Sequence, residues 1–341
     1  MATIMRVLTF QRHMLTICWR MLGMLCSLNH SMQESRTEGG SIMASAGKIL
    51  VTGATGNTGS ILVPALLSAG VDVRAFVRDQ AKAQPLKDAG AEVVIGDLDR
   101  PETIEPAVKG VDKIYLLTWN GPTQAQQVKN VIKVARQAGN PYIVRHSMWG
   151  SEKSRIVQQG NEADETVMSS GLPWTLLKPT FFMQNTMMAA QTIASDDVIY
   201  YDVGDGRIGT IDVRDIADVA AAVLTESGHE GKSYILTGPE AISFYDMAAV
   251  FSNVLGKQVK YVSVPHEAAF ELIVSMGIPE WIAKGYGELM EGFSQGFADS
   301  TTDNVASLTG HPARSFEQFV RDFAPVFGAR NRAESPVAQL A

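Results

Sequence analysis

The sequence of 341 residues has only two cysteines, Cys18 and Cys26, and both precede its first recognisable strand. The rest of the chain has no thiol for a disulfide framework, a zinc site or a cysteine nucleophile. Histidines are scattered at His13, His30, His146, His229, His266 and His311. No pair has metal-ligand spacing, so no metal is expected. No apolar run approaches the length of a membrane span. Positive charge is not in excess either, with 29 Lys+Arg against 36 Asp+Glu and a net charge of −7. A mildly acidic chain offers no general attraction for nucleic acid or anionic lipid. The expected partner is a small molecule, with a second copy or a regulatory protein left open.

Hydrophobic residues make up 45% of the chain and charged residues 19%, which excludes a disordered protein. Residues 1–42 stand apart. They carry Arg6, Arg12, Arg20 and Arg36 against Glu34 and Glu38, among methionines Met1, Met5, Met14, Met21, Met24 and Met32. This stretch reads either as an organelle transit peptide or as a misassigned start, with translation beginning at Met43. The expected location is the cytoplasm, or an organelle if the extension is a genuine leader. Residues 329–341 read as a disordered tail.

From Lys48 onward, short apolar strands alternate with helical segments. Lys48–Thr52 has no polar face, as suits a central parallel strand covered on both sides. Further strands are expected at 72–77, 91–95, 113–117, 142–146 and 173–177. The helices between them are expected at 60–69, 80–89, 104–108, 123–138 and 162–169. This alternation predicts an α/β fold, a Rossmann-type doubly wound parallel sheet. After Pro179 the rhythm changes. Residues 181–194 read as one helix, 208–211 as a strand, 212–224 as a helix and 233–236 as a late strand. A helix at 243–255, a strand at 260–264 and a mostly helical remainder follow. The expected division is a core over 43–180 to which 208–240 returns. A smaller C-terminal α/β substrate lobe is expected from 181–207 and 241–328.

The sharpest motif is Gly53-Ala54-Thr55-Gly56-Asn57-Thr58-Gly59, placed between a buried strand and a helix. Gly53 permits the tight turn, Gly56 lets backbone approach a pyrophosphate, and Gly59 lets the helix pack on the sheet. Thr55, Asn57 and Thr58 sit within the same cradle. Free N–H groups at the helix start complete an anion site. The tip of the second strand then separates two dinucleotides. A carboxylate there would take the ribose 2′-OH of NAD. Here the strand ends Val77-Arg78-Asp79, with Lys82 a turn later. A guanidinium beside an ammonium suits a 2′-phosphate. NADP(H) is therefore the preferred cofactor and NAD(H) the possible one, with Asp79 as ribose ligand in the second case. Asp97 and Leu98 follow the third strand at the adenine edge, where Asp97 can also cap the next helix. Thr118, Trp119 and Asn120 follow the fourth strand and Ser147, Met148 and Trp149 the fifth. They face the expected nicotinamide, where Trp119, Met148 and Trp149 would exclude water, or else they pack under the lobe. Phe181 and Phe182 line a flat aromatic pocket or belong to the core. Trp281 to Phe297, with Tyr286, is an amphipathic segment that reads as a lid or a dimer face.

With these residues in place, the chain resembles the NmrA-like group of atypical short-chain dehydrogenase/reductases from about Lys48 to Phe327. That group includes quinone oxidoreductase-like and triphenylmethane reductase-like enzymes and redox-sensing regulators. The resemblance rests on Thr52–Gly59, Val77-Arg78, Gly96-Asp97, Ser170–Pro179, Phe181–Asn185, Asp212–Ala217 and Leu308-Thr309-Gly310. It implies NAD(P)(H) binding and places Ser147 at the family's catalytic serine. One departure matters. The segment Gln159–Thr166, where a Tyr-x-x-x-Lys acid would fall, has neither residue, and the His often found near Asn161 is also missing. The catalytic group is thus unassigned among Ser147, His146 and Lys178. The expected function is an NAD(P)H-dependent oxidoreductase that passes hydride to a quinone-like or other acceptor without that acid. The alternative is a cofactor-binding redox sensor without turnover.

Overall fold

The computed structural model describes residues 47–328. The readings of 1–42 and of 329–341 lie outside these described residues. In chain order the elements begin with β1 (Lys48–Thr52), α1 (Gly59–Ser68), β2 (Asp72–Val77), α2 (Gln84–Asp88), β3 (Glu92–Ile95) and α3 (Pro101–Val108). Then come β4 (Lys113–Leu117), α4 (Gln124–Ala135), β5 (Tyr142–His146), α5 (Arg155–Met168) and β6 (Trp174–Pro179). Beyond β6 lie α6 (Ala190–Asp196), β7 (Val198–Tyr201), β8 (Arg207–Ile208), α7 (Val213–Thr225), β9 (Lys232–Leu236), β10 (Ile242–Ser243) and α8 (Phe244–Leu255). The last are β11 (Lys260–Ser263), α9 (His266–Ser275), α10 (Glu280–Ser294), α11 (Asn304–Thr309) and α12 (Phe316–Asp322).

Seven strands form one sheet in the order β3-β2-β1-β4-β5-β6-β9. Every pairing in it is parallel, so each connection must cross a face of the sheet. Successive residues of a strand point to opposite faces, and the apolar runs serve both. Ile49 and Val51 pack with Leu62, Val63 and Leu66 of α1 and Ile216, Val219 and Val223 of α7. Leu50, between them, packs on the other face with Ile104 of α3, Val128 and Val131 of α4, and Ala163 and Val167 of α5. Val144 and Leu177 repeat the first arrangement and Ile143 and Leu176 the second. Strand order reverses between β1 and β4, which opens a crevice at their carboxyl ends.

Several local expectations are corrected. The stretch 80–89 is not one helix: a 3-10 turn at Gln80–Lys82 gives way to α2, with Pro85 in its first turn. Proline has no N–H to give to the preceding turn, so the helix restarts there. α5 begins at Arg155, well before the expected 162. Residues 181–194 are likewise not a single helix. Phe182 pairs in parallel fashion with Ile211, a 3-10 turn spans Met183–Ala189, and only α6 is α-helical. The backbone stays extended because Phe181 finds its neighbours in the rings of Tyr201, Phe244 and Phe293. β7 was not expected. It pairs with β11 as a separate two-stranded sheet, and four residues are too few to announce themselves by period alone. Among the described residues no helix is long and apolar enough to cross a membrane.

Candidate functional site

The turn out of β1 is tied to β4 by one side chain. Thr52 Oγ1 donates to the Leu117 carbonyl at 2.7 Å and accepts from the Leu117 N–H at 2.8 Å. Gly53 then takes φ +64°, a left-handed conformation that glycine adopts without steric cost. The Gly56 N–H closes the turn on the Gly53 carbonyl at 2.9 Å. At Gly59 a Cβ would lie 2.3 Å from that same oxygen and 2.7 Å from Ala54 Cα, both backbone atoms. The helix thus starts directly against the loop. Among the described residues, the N–H groups of Asn57, Thr58 and Gly59 meet no backbone carbonyl. Thr58 is buried, Thr55 half-buried and Asn57 exposed. This cradle fits the diphosphate of a dinucleotide: small residues where a Cβ would intrude, unpaired N–H groups and the positive end of α1.

At the tip of β2 the two rival groups separate. Asp79 Oδ1 accepts from the Ala81 N–H at 2.9 Å and caps the 3-10 turn that holds Lys82. Arg78 is exposed and makes no ion pair among the described residues. Asp97 does not cap α3, whose first flanking residue is Arg100. Its Oδ1 accepts from the Asp99 N–H at 3.0 Å, and Thr103 Oγ1 both donates to its carbonyl and accepts from its N–H. The Leu98 side chain is buried beside Phe76 and Ile104, and its carbonyl accepts from Asn130.

After β4, Gln124 Nε2 bridges Thr118 Oγ1 at 3.2 Å and Asn120 Oδ1 at 3.4 Å, while Trp119 is 42% exposed. Burial raises the pKa of Tyr286 on α10, and Asn120 opposes that rise. After β5, Ser147 Oγ donates to Asp164 Oδ2 at 2.7 Å. Lys178, at the end of β6, reaches the same oxygen at 2.8 Å. Beneath them Arg145 is fully buried, its Nε 3.9 Å from Asp164 Oδ1. Burial lowers its pKa while the Asp164 charge raises it. A cavity of about 540 Å³ opens beside this group, walled by Met148, Trp149, Met168, Phe297, Asn161 and Lys178. The Trp149 and Phe297 rings lie 5.4 Å apart.

Two candidates are withdrawn from the site. His146 faces away from the crevice: it is 4% exposed and its Nδ1 lies 2.5 Å from the Tyr115 hydroxyl. Burial, with the Arg145 charge adding to it, holds its pKa down at about 3, so at neutral pH it is the uncharged imidazole and not the imidazolium that an acid catalyst would need. Phe181 belongs to the aromatic core described above. Phe182 is half-buried against His146, with ring centroids 6.1 Å apart. Asp215, Asp218 and His311 are the group of potential ligands close enough to share an ion among the described residues. Arg314 Nη1 already bonds both carboxylates, which leaves no place for a cation.

The sequence reading missed Asp164 and Gln124. A signal for the first was present. α5 carries Asp164 on its buried stripe with Ile156, Val157, Gly160, Ala163 and Val167, and a carboxylate there needs cationic partners. Gln124 and Asn120 meet only because the β4 loop folds back onto the start of α4.

The NmrA-like family profile matches residues 45–316. The chain belongs to the NmrA-like family. It is similar to the NAD(P)H azoreductase of Xenophilus azovorans, with 39% identity over 284 residues that cover 82% of this chain and 99% of that protein. Among solved structures it is similar to the NADPH-dependent quinone oxidoreductase of Escherichia coli complexed with NADPH. There the TM-score is 0.74 at 30% identity, covering 80% of this chain and 98% of that one. The triphenylmethane reductase of Citrobacter sp. complexed with NADP(H) gives a TM-score of 0.72 at 29% identity, covering 80% and 99%. In this NmrA-like chain α5 contains no tyrosine and no lysine. The lysine nearest to Asp164 comes instead from β6.

Proposed function

We propose that this chain is an NADP(H)-dependent reductase that passes a hydride to a planar conjugated acceptor of the quinone or azo type. The observation that carries the reading is the exposed, unpaired Arg78 at the tip of β2, the strand paired in parallel with β1, which leads into a glycine cradle shaped for a diphosphate. The names of the relatives support the same class of reaction. When bound, NADPH supplies a hydride from its nicotinamide ring. The N–H groups of Asn57, Thr58 and Gly59 hold the diphosphate, and Arg78 with Lys82 neutralises the 2′-phosphate. Asp97 and the backbone around it border the adenine. Thr118 and Asn120 flank the reactive ring from β4 and Ser147 from β5.

Asp164 keeps Ser147 and Lys178 in place, and the three act as one rigid floor. Met148 and Trp149 cover the acceptor and keep water from the transfer, so that positioning carries much of the rate. The segment after β6 supplies the rest of the acceptor's enclosure through α10, as a substrate lobe. The test is NADPH consumption, followed by absorbance, against a panel of quinones and azo compounds, beside calorimetry with NADPH and NADH. Turnover with at least one acceptor and preference for NADPH support the reading. Tight NADPH binding without turnover overturns it in favour of a cofactor sensor.

A further inference from the structure

Adding a hydride to an azo or carbonyl bond leaves a nitrogen or oxygen anion, and a proton must follow. Adding one to a cationic dye leaves a neutral product and needs no proton. α5 has neither tyrosine nor lysine for the task. Ser147 directs its proton to Asp164, and His146 is turned away and uncharged. A donor has to come from another element.

β6 supplies one. Ile143 and Leu176 pack on the face of the sheet that α5 covers, and alternate residues of a strand share a face. Arg145 and then Ser147 continue that row from β5, and Lys178 continues it on β6. The Ser147 N–H bonds the Leu177 carbonyl at 2.8 Å, so Ser147 and Lys178 stand side by side where the two strands end. Asp164 of α5 meets the whole group. Its Oδ2 accepts from Ser147 Oγ at 2.7 Å and pairs with Lys178 Nζ at 2.8 Å, and its Oδ1 lies 3.9 Å from Arg145 Nε.

The charges of this cluster do not cancel. Arg145 and Asp164 are buried, and a guanidinium keeps its charge. Two cations therefore face one carboxylate and leave a surplus positive charge. Lys178 is the cation of the cluster that reaches the cavity of about 540 Å³, a volume that suits a small aromatic molecule. Its side chain is 17% exposed. Met148, Trp149, Met168 and Phe297 give the cavity apolar sides. The other charged residues that line it, Glu152, Lys153 and Glu165, are exposed to water, and Lys153 Nζ donates to Gln295. Lys178 is the cation set back between the sheet and the apolar sides, where an interaction with a new anion is least screened.

We propose that Lys178, presented from β6 and held by Asp164, is the acid that protonates the reduced acceptor. The proposal rests on the reductase reading above. The acceptor gains both electrons with the hydride. An N–H bond of the Lys178 ammonium breaks as a new N–H or O–H bond forms on the acceptor, and the resulting amine regains its proton from water at the cavity mouth. The transfer discharges the acceptor's anion and the surplus charge of the cluster together.

The test follows kcat with an azo compound and with a cationic triarylmethane dye. It compares wild type with Lys178→Arg, Lys178→Met and, as a control on the exposed side of α4, Lys133→Met. Lys178→Arg keeps a cation for Asp164, but a guanidinium does not release its proton. It is expected to lower kcat with the azo compound by about a hundredfold or more, while reduction of the dye, which consumes no proton, stays near that of wild type. Lys133→Met should match wild type with both. Independently of turnover, para-nitrophenol added to the cofactor-free protein should bind as its yellow phenolate, which stands in for the reduced anion. Lys178→Arg should retain that binding, and Lys178→Met should weaken it by about 10- to 100-fold. Wild-type azo reduction in Lys178→Arg overturns the proposal alone, as do equal losses with azo compound and dye, or phenolate binding unchanged in Lys178→Met. A wild-type protein that binds NADPH but reduces no acceptor overturns the reductase reading and this assignment with it.

Discussion

Arg78 and Asp79 are neighbours at the tip of β2, and their surroundings give them different work. Asp79 spends an oxygen on the turn at Ala81, whereas Arg78 has no ion-pair partner among the described residues. A charge-assisted hydrogen bond is worth about 1.5–3 kcal/mol. Arg78→Ala should therefore weaken NADPH binding by roughly 10- to 100-fold and leave NADH nearly untouched, as calorimetry with both dinucleotides would measure. Equal losses for the two cofactors would assign Arg78 no role at the 2′-phosphate. The order of residues placed both Arg78 and Asp79 at the strand tip and left either as a ribose ligand, whereas the bond of Asp79 to the Ala81 N–H appears only in the structure. The burial of His146 was not legible. Its neighbour Ser147 lies at the site while His146 turns to Tyr115, an alternation that only the actual register of β5 against β4 and β6 decides.

At the scale of elements, the β1–α1 turn joins strand, loop and helix through two glycines that do different things. A Cβ at Gly59 would strike the Gly53 carbonyl and Ala54 Cα, neither of which can move without separating α1 from β1. A Cβ at Gly56 has one close neighbour, the Gly53 oxygen at 3.2 Å. Gly59→Ala should lower the unfolding free energy by about 1–3 kcal/mol, as overpacking does, and weaken NADPH binding as well. Gly56→Ala should weaken binding while changing stability far less. Urea denaturation beside calorimetry checks both, and similar stability losses in the two variants would contradict the division. This turn was readable from glycine spacing because backbone sterics are local. α10 was readable only as an amphipathic segment. That it rests on α5 depends on Ser154, Arg155, Gly285 and Glu288, residues 131 to 133 positions apart in the chain, and no local pattern encodes such a pairing.

For the whole molecule, the two-sided core sets the pH behaviour. His146 lies in a fully desolvated position, with a pKa of about 3 against an ordinary 6.5. The unfolded chain takes up this proton near 6.5 and the folded chain only near 3. Between those values the unfolded state binds more protons, so stability is complete above the upper value and falls on acidification. The slope from this one group is about 1.4 kcal/mol per pH unit. Urea denaturation from neutral to mildly acidic pH should show that slope in wild type and a shallower one in His146→Gln. Parallel slopes would mean that His146 is not buried uncharged. The parallel sheet itself was apparent from the sequence, since strands such as Lys48–Thr52 have no polar face and require helices on both sides.

The sequence by itself determined the class of fold, the glycine turn and the cation at the strand tip, because strand period, positive-φ glycine and charge at a loop end are consequences of neighbouring residues. Only the tertiary structure decided how the site is closed. It joined Ser147 and Lys178 through Asp164, removed His146 and Phe181 to the interior, and bound α10 to the start of α5 through Ser154 and Arg155. Those contacts arise from how distant helices pack on the sheet, which is settled by the shape of the assembled core rather than by any stretch of chain.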